Sequence, residues 1–185
     1  QQNPYNNNSL NQNFPTNPDS NLEFLIPLEE YYPLMRGFFD HMEKKYGVHV
    51  VVAAHPRSDY SKHPDYFGGR QTIFGKTAEL VRKARFVILH DSASINYAVL
   101  FKKPLIFITT NRLQELRKGL IDYIAAMFGK RPLNLNDTFE VDLDRELAVD
   151  ESAYKKHKSV YIKKSDAPDT PTWQAFVDYL RTGKE

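Results

Sequence analysis

Three short runs of apolar, largely β-branched residues constrain this chain most: Val48–Ala54 (VHVVVAA), Phe86–Leu89 (FVIL) and Leu105–Thr109 (LIFIT), with helical periodicity between them. A run with no polar alternation is what a strand covered on both faces of a parallel sheet requires. Before the first run, Leu28, Tyr31, Tyr32, Met35, Phe38, Phe39 and Met42 recur at spacings of three and four, which predicts a helix with one buried stripe. Pro33 is tolerated only in a first turn, so the start is expected near Glu30, and Gly47 ends the helix. Further helices are expected over residues 75–84, after a cap at Asp91 or Ser92, and over residues 112–128. The order β-α-β-α-β-α with short connections predicts an α/β fold: a Rossmann-like parallel sheet flanked by helices. Beyond Gly129 the alternating segment 139–143 (FEVDL) reads as an edge strand, and residues 150–164 and 171–181 read as a helical C-terminal segment.

Composition changes sharply at the start. The first 20 residues hold seven Asn, three Gln, three Pro and one charged residue, Asp19, too few apolar groups to offset the entropy of ordering. Residues 1–22 are therefore expected to be a linker or tail and residues 23–185 the folded domain. Because the chain begins with Gln, it reads as a piece of a longer protein. It has no cysteine, which fits a reducing, cytoplasmic setting. No apolar run approaches the roughly 20 residues needed to span a bilayer. With 25 basic against 23 acidic residues there is no global field to hold nucleic acid, so an anion has to be bound by a local arrangement.

In an open parallel sheet, ligands bind outside the carboxyl ends of the strands. The three apolar runs end in His55-Pro56-Arg57, His90-Asp91-Ser92-Ala93-Ser94 and Thr109-Thr110-Asn111-Arg112. Ser92, Ala93 and Ser94 open a helix whose unpaired N–H groups and dipole attract an anion, and whose small side chains let a phosphate approach the backbone. The plainer reading is that Ser92 only caps the helix. His55 is placed to donate to a phosphate or ribose oxygen, or simply to close its strand end. Arg57 and Arg70 have the fork geometry for bidentate phosphate contacts, although surface arginines are common. The connection from Pro56 to Phe74 is long enough to be a binding loop, and Tyr60 within it could stack on a base.

Other groups carry less. Asp142 and Asp144 have the spacing of a metal-binding pair but lie in a generally acidic stretch, so no metal is expected. Lys155, Lys156, Lys158, Lys163 and Lys164 form a basic patch suited to solvent, a charged partner or a membrane surface, and no nucleic-acid motif accompanies it. There is no G-x-x-x-x-G-K-[ST], G-x-G-x-x-G, G-x-S-x-G or H-E-x-x-H sequence.

The stretch Val51–Thr110, with AAHPRSDY followed by GKTAELVRKARFVILHDSASINYAVLFKKPLIFITT, resembles the C-terminal, donor-binding domain of GT-B glycosyltransferases from bacterial surface-polysaccharide pathways. The resemblance rests on a His-Pro after one strand, a serine-rich turn before a helix and a Lys-Pro before the next strand. It implies that His55, Ser92 and Ser94 contact the phosphates of a nucleotide-sugar, with Asn96 and Lys103 as neighbours, and it tilts toward CMP-sugars while leaving UDP- and GDP-sugars open. It also implies transfer of the sugar to a saccharide acceptor without a metal or other cofactor, a further N-terminal domain supplying the acceptor contacts and general base, and work in the cytoplasm or at the inner face of the membrane. A sugar-nucleotide epimerase of the same architecture and a non-catalytic nucleotide-sugar-binding module are the alternatives.

Overall fold

The computed structural model describes residues 26–55, 60–138, 140–164, 166–167 and 170–183. The expected tail, residues 1–22, lies outside them. The chain is an α/β fold of Rossmann-like kind, with short parallel sheets flanked by helices.

Helix α1, Leu28–Tyr46, buries Tyr32, Met35, Phe38, Phe39 and Met42, the stripe expected from their spacing. It begins earlier than expected, which leaves Pro33 in its second turn. Pro33 and Glu29 are both exposed, so water can take the carbonyl that a proline cannot satisfy. Gly47, at φ +61°, ends the helix by returning its N–H to the Glu43 carbonyl at 3.0 Å.

The strands are β1 (Val52–Ala54), β2 (Thr72–Phe74), β3 (Val87–Leu89), β4 (Leu105–Thr109) and β5 (Leu133–Asn134). β1 pairs with β2, and β3, β4 and β5 pair in that order, every pair parallel. Among the described residues no ladder bond joins the two sheets, where one continuous sheet was expected. β4 is the centre of the domain, with all five residues buried. Its side chains alternate between two cores. Ile106 and Ile108 pack with the α1 stripe, whereas Leu105 and Phe107 pack with Val99, Ala125, Phe128 and Tyr154. Each such fully buried side chain contributes about 1.5–3 kcal/mol.

The connecting helices are α2 (Thr77–Lys83), α3 (Ile95–Leu100), α4 (Asn111–Arg117), α5 (Leu120–Ala126), α6 (Leu143–Leu147), α7 (Glu151–His157) and α8 (Thr172–Thr182), with a π turn over Lys158–Ile162. Four further expectations are corrected. The first strand is three residues long and exposes Ala53, so it is not covered on both faces. The connection after it contains a 3-10 turn, Tyr60–Lys62, and the unforeseen strand β2. The helix expected over 112–128 is broken by two left-handed residues, Lys118 at φ 45° and Gly119 at φ 80°. Segment 139–143 is not an edge strand: Phe139 lies outside the described residues, Asp142 caps α6 by accepting the Arg145 N–H at 3.1 Å, and β5 forms upstream. Among the described residues no helix is long and apolar enough to cross a membrane.

Candidate functional site at the carboxyl edge of the strands

Helix α1 fixes which way both sheets point. Near its start, the Tyr31 hydroxyl lies 2.9 Å from His90 Nε2, at the carboxyl end of β3. Near its end, Glu43 accepts the Val50 N–H at 2.9 Å and pairs with Arg70 at 2.6 Å, at the amino ends of β1 and β2. The carboxyl ends of β1, β2 and β3 therefore share one edge, and His55 and the turn 92–94 lie on it.

His90 forms the floor of this edge. Its Nδ1 lies 2.7 Å from the Ile108 carbonyl, which can only accept, so Nδ1 carries the proton and Nε2 accepts from Tyr31. Burial holds its pKa below the ordinary histidine value, which keeps that neutral tautomer in place. Next to it Asp91 pairs with Arg117 at 3.1 Å, tying the end of α4 to the end of β3.

Ser92 and Ala93 are exposed and Ser94 is half-buried. The Ser92 hydroxyl accepts the Ser94 N–H at 3.2 Å, and the N–H groups of Ile95 and Asn96 bond back to the carbonyls of Ser92 and Ala93 at 3.1 Å. The turn thus spends part of the donor set that a bare helix N-terminus would offer. Among the described residues, the Ala93 N–H and the Ser94 hydroxyl have no internal partner, and the Ser92 hydroxyl can still donate its hydrogen. His55 is exposed just past β1.

The remaining expected contacts are placed differently. Arg70 precedes β2 and so sits at the opposite, amino edge. Its side chain is only 8% exposed and is held by Asp40 at 2.5 Å, Glu43 at 2.6 Å and the Phe67 carbonyl at 3.1 Å. Thr110 is 1% exposed and uses its hydroxyl to cap α4, accepting the Leu113 N–H at 3.2 Å. Tyr60 packs edge-on against Phe67, with ring centroids 5.2 Å apart, and lies beside Tyr66 and Phe74. Arg57 lies outside the described residues.

Asn96 is engaged by a residue that spacing alone did not connect to it: its Oδ1 lies 3.0 Å from His157 Nε2. Helix α7 runs antiparallel to α3. At its start Glu151 pairs with Lys102, and Tyr154 donates to the Lys103 carbonyl at 2.7 Å; at its end His157 reaches the first turn of α3. The basic patch that follows is thereby carried toward the serine turn. The edge also holds an asparagine network that sequence reading missed: Asn134 donates to Asn111 at 2.7 Å, and Asn136 accepts the Asn111 N–H at 2.8 Å. The signal was the N-L-N run at residues 134–136, which begins on the last residue of β5.

One recess, lined by Tyr123, Met127, Ala153, Lys156, His157, Val160 and Tyr161, has a cavity volume of about 140 Å³. That is below the roughly 300 Å³ at which small-molecule pockets begin, and neither His55 nor the serine turn lines it. The fold and this edge define a parallel α/β protein with a polar carboxyl edge. Compared with known proteins, the chain matches no protein-family model, no curated protein and no solved structure.

Proposed function

We propose that this chain binds a nucleotide-activated sugar at the carboxyl edge and serves as the donor-binding half of a glycosyltransferase. What supports the reading is that exposed His55 after β1 and the exposed Ser92-Ala93 turn after β3 share one edge, in the order of elements that carries the resemblance to GT-B donor domains. In this reading the Ala93 N–H and the Ser92 and Ser94 hydroxyls hold the phosphate oxygens, and His55 donates from the end of β1. Charge developing on the leaving phosphate as an acceptor hydroxyl attacks the anomeric carbon is stabilised by these fixed donors. The general base and saccharide acceptor contacts come from a partner domain, and no metal takes part.

Calorimetric titration with CMP-, UDP- and GDP-sugars tests it. One class is expected to bind, with affinity unchanged by chelator, and with a loss of about tenfold or more in the Ser92→Ala/Ser94→Ala double variant and in His55→Ala, since hydrogen bonds to charged groups are worth about 1.5–3 kcal/mol. Absence of binding by every sugar nucleotide, or unchanged affinity in both variants, overturns the reading.

A further inference from the structure

Helix α8 buries none of its residues, yet one side of it is apolar. Trp173, Phe176, Tyr179 and Leu180 are 78%, 50%, 50% and 65% exposed. At 3.6 residues per turn, Trp173, Phe176, Val177 and Leu180 form one stripe with Tyr179 at its border, while Gln174, Asp178 and Arg181 occupy the other side. A second apolar patch lies upstream. The segment Lys155–Lys164 (KKHKSVYIKK) contains five lysines and no acidic residue, and it exposes Val160 and Tyr161 at 61% and 55% between lysine pairs.

Exposed aromatic and aliphatic side chains flanked by lysines match the boundary between lipid headgroups and acyl chains. We propose that α8 and the segment 155–164 dock the protein on an anionic lipid surface, the α8 stripe entering the headgroup region and the exposed Lys155, Lys156, Lys158 and Lys164 binding the lipid phosphates. Seven residues separate Lys164 from Thr172, a span of at most about 29 Å, so one membrane can engage both at once. Charge selects this occupant. A second copy docked through the same surface by a two-fold axis sets these lysines against their own counterparts, whereas an anionic bilayer is complementary to them. Because α7 delivers this segment beside Asn96, docking brings the carboxyl edge of the sheets close to the membrane. The inference stands independently of the sugar-nucleotide proposal.

Trp173 is the only tryptophan in the chain, so its fluorescence reports the helix directly. The full chain is mixed, without nucleotide, with vesicles of phosphatidylcholine alone or of phosphatidylcholine with phosphatidylglycerol. The expected result is a blue shift and co-sedimentation with the anionic vesicles only, weakening as salt rises. Phe176→Ser with Leu180→Ser removes both signals while the far-UV circular dichroism of the domain persists. Lys155→Gln and Lys156→Gln each lower partitioning by about fivefold. No shift with anionic vesicles, or equal binding to neutral ones, overturns the proposal. So does a blue shift that grows with protein concentration in the absence of vesicles, which assigns the face to a second copy.

Discussion

Replacing Arg70 by Met separates its two readings, as a phosphate contact and as a structural tie. The guanidinium is 8% exposed and bonds Glu43, 29% exposed, and Asp40, 70% exposed. A hydrogen bond between a charged pair is worth about 1.5–3 kcal/mol where it is shielded, as at Glu43. The pair with Asp40, open to water, adds little. Arg70 also lies over the Phe39 ring at 5.5 Å, for about 0.5–1 kcal/mol, part of which the methionine side chain restores by packing. The expected loss is thus about 2–3 kcal/mol, or about 5–10 °C in Tm for a domain of this size. Urea unfolding followed by far-UV circular dichroism measures it. The pH dependence adds a second check. The Arg70 hydrogen bond holds the Glu43 carboxyl below its ordinary value of 4.5, so its stabilisation is complete above pH 4.5 and is lost as pH falls through the lower folded-state value. The gap between wild type and Arg70→Met should therefore close in acid. An unchanged unfolding midpoint at neutral pH, with nucleotide affinity lost instead, refutes the reasoning and returns Arg70 to the ligand.

Three further outcomes are expected. Thr110→Val removes the α4 cap and costs about 1 kcal/mol by thermal unfolding, with sugar-nucleotide affinity unchanged. Gly119→Ala forces a side chain into φ 80° between α4 and α5 and lowers stability by about 1–2 kcal/mol in the same assay. Burial depresses the pKa values of His90 and His157, so the unfolded chain takes up protons first as pH falls below 6.5; stability should decline from there, and His90→Gln and His157→Gln should each flatten part of that slope in unfolding measured across pH.

The central strand and the first helix were legible because burial alone dictates them. LIFIT has no polar residue before its last position, and the α1 stripe keeps its period over 19 residues. That His55 and the serine turn lie at strand ends was legible because it needs only the strands that precede them. Arg70 was not legible for the same reason. Which edge a loop residue occupies depends on whether it precedes or follows a strand, and the three-residue β2, with two glycines just before Arg70, leaves no periodic signal. FEVDL shows a comparable conflict. Its alternation suits a strand, yet Asp142 ahead of Leu-Asp-Arg-Glu-Leu is also a helix start, and burial of Val141 and Leu143 is met by a helix packed on the α1 core. The link between Asn96 and His157 spans 61 positions and is set by how α7 crosses α3, which no local pattern encodes.

Helix α1 has a consequence for cooperativity. It contacts His90 at the end of β3 through Tyr31, and the starts of β1 and β2 through Glu43 and Asp40, while no ladder bond spans the gap between the two sheets among the described residues. It therefore acts as a cross-tie, so that the two small sheets open together. Amide hydrogens of Val52–Ala54 and Val87–Leu89 should then exchange with one common opening energy, and loosening the helix at either end should split that unit into two before it alters either sheet alone.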